Sequence, residues 1–157
     1  MKMYTALAHA MALVVLSGVA SISFADMPAP VNSADIKWGP APPILPAGAQ
    51  MAVLAGDPGG TGLVTIRLKV PAGYQIPPHW HPTDEHVTVI SGVFELGMGD
   101  KLDKKYSKRL NPGGYAVAPA NMHHFAWAKT DAIVQVNLIA PFQLTYVNPA
   151  DDPSPKK

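Results

Sequence analysis

The sequence predicts an all-β domain, a sandwich or barrel, and three observations carry that prediction. From Gln50 onward the chain runs as short apolar segments, each too brief for a typical helix. Turn-forming residues punctuate them: Asp57-Pro58-Gly59-Gly60, Pro71-Ala72-Gly73, Ser91-Gly92, Asn111-Pro112-Gly113-Gly114 and Asn148-Pro149. No window after the N-terminal segment sustains a helical apolar period with caps. Short strands spread evenly at turn-limited spacing favour a closed or double-sheet form.

In chain order, residues 1–25 stand apart. Met1 and Lys2, an apolar run from Ala6 to Ala20, and Ser23-Phe24-Ala25 read as the three parts of a secretory signal peptide. The run carries His9 and falls short of the ~20 apolar residues a spanning helix needs. Cleavage after Ala25 leaves Asp26 first and predicts a periplasmic or secreted protein with no membrane attachment. Residues 26–50 are rich in proline and alanine, which excludes a helix or central strand and predicts an extended arm. Trp38 and the Ile44-Leu45 pair are expected to pin it onto the barrel or onto a neighbouring subunit, the latter as a homodimer.

Residues 51–148 form the predicted barrel. Strand-like runs are Gln50–Ala55, Leu63–Val70, Val87–Ile90, Val93–Leu96, Tyr115–Ala118, Phe125–Ala128, Ile133–Ile139 and Gln143–Val147. Thr65 to Val70 alternates polar and apolar, as suits a strand with one wet face. Residues 149–157 are polar and proline-bearing, and are read as a flexible tail.

Without its first 25 residues the chain keeps 157 − 25 = 132, enough for one core. Loss of Lys2 takes 12 basic residues to 11, against 11 acidic, so the formal charge is zero. A neutral chain without a basic block has no electrostatic footprint for nucleic acid or anionic lipid. Lys101 to Arg109 is locally basic, but Asp100 and Asp103 interrupt it, and it reads as a solvated hairpin. Cysteine is absent, so the core must hold the domain and any metal site must use imidazole and carboxylate.

Histidine is sparse and clustered. Excluding His9, three of the remaining five lie between Gly73 and Gly92, and the others are His123 and His124. Residues i and i+2 of a strand share a face, ~6.6 Å apart, so His79 and His81 can aim at one point while Trp80 points away. Pro77 and Pro78 stiffen the approach, and Pro82-Thr83-Asp84 reads as a reversing turn that returns Glu85 to the same locus. Val87 and Val89 follow on the Glu85 face, with His86, Thr88 and Ile90 opposite. A histidine from the stretch 119–124 can close a site of three nitrogens and one carboxylate. Such a set suits Mn, Fe, Co, Ni, Cu or Zn and leaves positions open.

These residues resemble the cupin superfamily. Its first motif, glycine, five residues, His-x-His, three or four residues, glutamate, six residues, glycine, is met by Gly73, His79, His81, Glu85 and Gly92. Its second is met by Gly113, Pro119 and His124, with Asn121 in place of a glycine and Ala128 in place of a final asparagine. Asn121 is a mild departure, because asparagine tolerates the left-handed conformation. The resemblance covers about Leu63 to Ile139. It implies a cupin-type jelly-roll β-barrel (double-stranded β-helix) with a divalent transition metal, Fe, Mn, Ni, Cu or Zn, held by His79, His81, Glu85 and His124. His123 is the rival fourth ligand. Alternation from His124 puts Ala126 and Ala128 inward, whereas alternation from His123 would put Phe125 and Trp127 there.

Two functions fit. One is a metal-dependent oxygenase or related oxidoreductase on a small organic substrate, with Glu85 doubling as a catalytic base. The other is a periplasmic module that binds or senses a metal or small ligand without turnover. Tyr74, Thr83, Asp84 and Tyr115 are the further polar candidates. Phe94, Met98, Met122, Phe125 and Trp127 are the candidate apolar lining.

Overall fold

Alternating apolar residues build two antiparallel sheets in the computed structural model, which describes residues 29–155. The signal peptide expected over residues 1–25 lies outside the described residues. From Asn32 onward the described chain is one unit. Its strands are β1 (Gly39–Pro40), β2 (Gln50–Ala55), β3 (Gly62–Val70), β4 (Gln75–Trp80), β5 (Glu85–Ser91), β6 (Phe94–Met98), β7 (Ser107–Leu110), β8 (Tyr115–Ala118), β9 (His124–Ala128), β10 (Ala132–Ala140) and β11 (Thr145–Tyr146). One sheet has the order β1-β2-β3-β10-β5-β8 and the other β11-β4-β9-β6-β7. From β3 onward the chain passes back and forth between the sheets, the weave of a jelly roll. The all-β, jelly-roll expectation is met.

The β3–β10 pairing anchors the core. Val64, Ile66, Leu68 and Val70 stand opposite Leu138, Val136, Val134 and Ala132, and each is at most 4% exposed. The other face is polar: Asn137 Nδ2 donates to Thr65 Oγ1 at 2.7 Å, and Arg67 Nε donates to Gln135 Oε1 at 3.1 Å. This is the wet face that the Thr65–Val70 alternation predicts.

Three features differ from the sequence reading or add to it. First, β4 is a strand despite Pro77 and Pro78, paired to β9 on one side and to the short β11 on the other. Ile76 opposes Ala126 and His79 opposes His124, so three steps on β4 match two on β9. That extra residue is a bulge placed where the prolines supply no amide donor. It resets the alternation, and Ile76 and His79 come to line the same interior cavity. Second, the basic hairpin is more ordered than the sequence suggests. Lys104–Tyr106 forms a 3-10 turn capped by Asp103, and β7 follows as an edge strand. Third, Pro149–Asp151 in the tail makes a 3-10 turn, with the Asn148 side chain accepting from the Ala150 amide.

The described part of the arm is pinned to its own barrel. Leu45 is buried, Tyr146 Oη donates to the Ile44 carbonyl at 2.8 Å, and Tyr74 Oη donates to the Pro46 carbonyl at 2.7 Å. Trp38 lies under the Lys69 ammonium at 5.8 Å.

The two ends of the histidine segment are glycines with positive φ, Gly73 at 82° and Gly92 at 78°. A Cβ at Gly92 would meet the Asp131 carbonyl oxygen at 2.1 Å, whereas one at Gly73 meets nothing within 4 Å. Gly73→Ala therefore costs only the left-handed penalty, about 1–2 kcal/mol. Gly92→Ala must add backbone displacement and is expected to cost clearly more. Thermal melts of the two variants check this; equal losses would contradict it.

Candidate metal centre

Each histidine of the cluster is placed by a different piece of local structure. His79 ends the bulged part of β4 and opposes His124 at the start of β9. His81 follows β4 directly, and its carbonyl accepts from the Asn121 amide at 2.8 Å. Asn121 holds φ at 60°, the left-handed turn that its position predicts, and so joins the two motifs. Glu85 opens β5 opposite Ala118.

The four side chains are interior, with His79 and His81 each 2% exposed, His124 1% and Glu85 8%. The ligand nitrogens of His79, His81 and His124 all lie within 4.8 Å of one another, so this triad can hold a metal ion. Glu85 lies against two of the rings, with Oε1 3.7 Å from His81 Nε2 and Oε2 3.4 Å from His124 Nε2.

The hydrogen bonds on the far side of each ring decide which nitrogen faces inward. His79 Nδ1 meets the Pro77 carbonyl at 2.7 Å and His124 Nδ1 meets the Met122 carbonyl at 2.9 Å. His81 Nδ1 meets the Gln143 carbonyl. A carbonyl only accepts, so each Nδ1 carries a proton, and in its neutral form each ring presents a bare Nε2 to the interior. The Nε2 atoms of His81 and His124 are buried with no hydrogen-bond partner. Bare nitrogens facing a carboxylate repel it unless a cation stands between them. Buried polar atoms rarely go unpaired, and this donor set fits a divalent transition metal.

Burial, then the neighbouring His124 and His81 rings, pushes the His79 pKa down to about 3, against a smaller upward pull from Glu85. Burial alone would raise Glu85, but a hydrogen bond from His124 and the positive charge that the rings carry once protonated outweigh it and bring the carboxyl down to about 2. Beneath the cluster lies a cavity of about 20 Å³, reaching His79, Glu85 and His124 and walled by Ile76, Val87, Phe94 and Leu96. That is room for about one water-sized molecule.

The other candidates are engaged elsewhere. His123 is turned outward with Nδ1 on Asp100 Oδ1 at 2.6 Å, and His86 pairs with the Tyr115 hydroxyl at 2.6 Å on the outer face of β5. Thr83 Oγ1 donates to the Ile139 carbonyl, and Asp84 accepts from the Ala120 amide. Tyr74 serves the arm, and burial lifts its pKa to about 12. Of the apolar candidates, Phe94 lines the cavity. Phe125 and Trp127 do not: they alternate with Ala126 onto the outer face, where Phe125 lies on Gly97 and Lys104 caps Trp127 at 4.2 Å. The carbonyls of Pro77, Met122 and Gln143 are the contributors that the sequence leaves invisible, because every residue has a carbonyl.

A family model described as the ChrR cupin-like domain matches residues 26–139, most of the chain. The chain belongs to the ChrR cupin-like family. Among curated proteins, this cupin is 34% identical over 67 residues to germin-like protein subfamily 1 member 1 of Arabidopsis thaliana. That match covers 42% of this chain and 31% of the relative, under a third of the plant protein. Among solved structures it is similar to KdgF from Halomonas sp., 25% identical with a TM-score of 0.54, over 71% of this chain and 92% of that one. The polyketide cyclase RemF from Streptomyces resistomycificus shares the fold at 20% identity and a TM-score of 0.63, over 81% of this chain and 90% of that one.

The depressed pKa values fix a pH dependence. Below about 6.5 an unfolded His79 takes a proton that the folded ring refuses down to about 3, so the unfolded state binds more protons in that window. Glu85 acts with the same sign between about 4.5 and about 2. Metal-free protein is therefore expected to lose thermal stability as pH falls from 6.5, with the loss from these groups complete near pH 2. A melting temperature that stays flat from pH 7 to pH 4.5 would contradict this.

Proposed function

We propose that this cupin holds a divalent transition metal through Nε2 of His79, His81 and His124, with the Glu85 carboxylate as fourth ligand, and serves in oxygenase-type oxidation of a small organic substrate. The observation that carries the proposal is the pair of buried, partnerless Nε2 atoms on His81 and His124, locked inward by carbonyls on the opposite ring nitrogens. When bound, Fe, Mn, Ni, Cu or Zn would supply Lewis-acid polarisation, and the redox-active ones one-electron chemistry, at the positions the protein leaves open.

The chain's own part is positional. The three carbonyls hold the rings in one tautomer and one orientation. Glu85, ionised at neutral pH, can release one oxygen to take a proton from a bound substrate. The apolar wall excludes bulk water, and the cavity of about 20 Å³ admits a group the size of water or dioxygen while keeping the body of a larger substrate outside. Export is part of the same proposal, supported by the signal-like composition of residues 1–25.

A second function, metal or ligand binding without turnover, is favoured by one observation. Glu85, His79 and His124 are the only polar side chains on the cavity wall among the described residues, so no separate acid or base stands by.

Elemental analysis of protein recovered from its own compartment, coupled to oxygen uptake with phenolic and dicarbonyl substrates, separates the two. Near-stoichiometric Fe, Mn, Ni or Cu with substrate-dependent oxygen loss is expected, in a chain whose intact mass begins at Asp26. Tight Zn without oxygen consumption would sink the oxygenase and leave the binding module. His81→Ala is expected to lower metal affinity at least about tenfold; full occupancy in that variant would undo the ligand set.

A further inference from the structure

Outside the metal centre, a groove of about 520 Å³ opens between β7 and β8, the edge strands of the two sheets. Leu96, Met98, Tyr106, Lys108, Tyr115 and Ala116 are among its lining residues. The volume is that of a small-molecule site. Leu96 also walls the cavity that reaches His79, Glu85 and His124, so one side chain separates the two spaces.

Lys108 stands directly opposite Leu96 in the β6–β7 register, and directly opposed residues share a face. The ammonium therefore starts from the inward face of an edge strand. An inward charge can guard an edge against strand addition, but that role does not account for the surfaces around it. Tyr106 is 75% exposed and Met98 41%, two large side chains at one opening, while Tyr115, 55% exposed, turns its hydroxyl to His86. The neighbouring cations are engaged: Arg109 Nε lies 3.6 Å from the buried Glu95, and Lys104 caps Trp127. Among the described residues no carboxylate lies within 4.0 Å of Lys108.

We infer that this groove is a subsite for a small aromatic carboxylate, with Lys108 holding the anionic group and Leu96 forming the partition to the metal cavity. Arg109 also lines the groove but faces Glu95, so Lys108 is the lining cation without a carboxylate partner and selects the charge, and Tyr106 with Leu96 and Met98 suits a flat ring. The cavity behind Leu96 is too small for a ring, so the ring stays in the groove. The inference rests on the proposed metal centre for what the bound molecule faces, and on the groove alone for whether it binds.

The test is an amide NMR titration of metal-free and zinc-loaded protein with 4-hydroxybenzoate, and with benzyl alcohol as the neutral probe. 4-Hydroxybenzoate is expected to perturb the amides of Leu96, Lys108 and Ala116 in both forms. Lys108→Gln is expected to weaken it about tenfold, Lys108→Arg to restore most of the loss, and neither to change benzyl alcohol binding. Unchanged affinity in Lys108→Gln, or perturbations mapping elsewhere, would overturn the inference. So would a dimer that protects the β7 and β8 amides and excludes the probe. If zinc fails to load while 4-hydroxybenzoate still binds through Lys108, the metal centre fails and the subsite stands.

Discussion

Three backbone carbonyls, of Pro77, Met122 and Gln143, hold the protons of three imidazoles on the side away from the barrel interior. Everything that makes the centre suited to a cation follows from that constraint. With Nδ1 committed, each neutral ring offers one lone pair, and the fold turns all three lone pairs toward one small volume. Replacing any of these contacts by water would let the ring rotate and take the other tautomer. The acceptors come from a bulge, from the loop before β9 and from the segment before β11, so no single element sets the geometry.

The jelly roll makes this arrangement affordable. Burying a carboxylate among imidazoles is costly when its charge is uncompensated. Here the rigid β3–β10 pairing and its apolar inner face keep water out, while the site draws its ligands from β4, the turn after it, β5 and β9. The bulge at Pro77-Pro78 is the local device that reconciles the two demands. It ends the regular ladder where proline cannot donate and re-aims the chain so that His79 and His81 face inward beyond it.

Much of this is legible in residue order, and the exceptions have physical reasons. The His79–His81 spacing and the return of Glu85 follow from strand periodicity, which is local and survives packing. Strand periodicity does not choose between His123 and His124, because adjacent residues face opposite ways; the motif resemblance favours His124, and the register of β9 against β4 turns it inward. The same register sends Phe125 and Trp127 outward, where the close approach of Phe125 to Gly97 buries an aromatic ring that composition would assign to the core. β7 hides behind Lys108 and Arg109 because edge strands tolerate charge, so its pattern resembles a loop. Carbonyl partners leave no residue-type signal at all.

The orientation of the three rings is read most simply from the long-range ¹H–¹⁵N spectrum of the histidines in metal-free protein at neutral pH. His79, His81 and His124 are each expected to appear as neutral rings protonated at Nδ1, with Nε2 bare, and added metal is expected to shift those Nε2 resonances. Rings protonated at Nε2, or tautomers in rapid exchange, would contradict this, because the carbonyl contacts would then not be orienting the site.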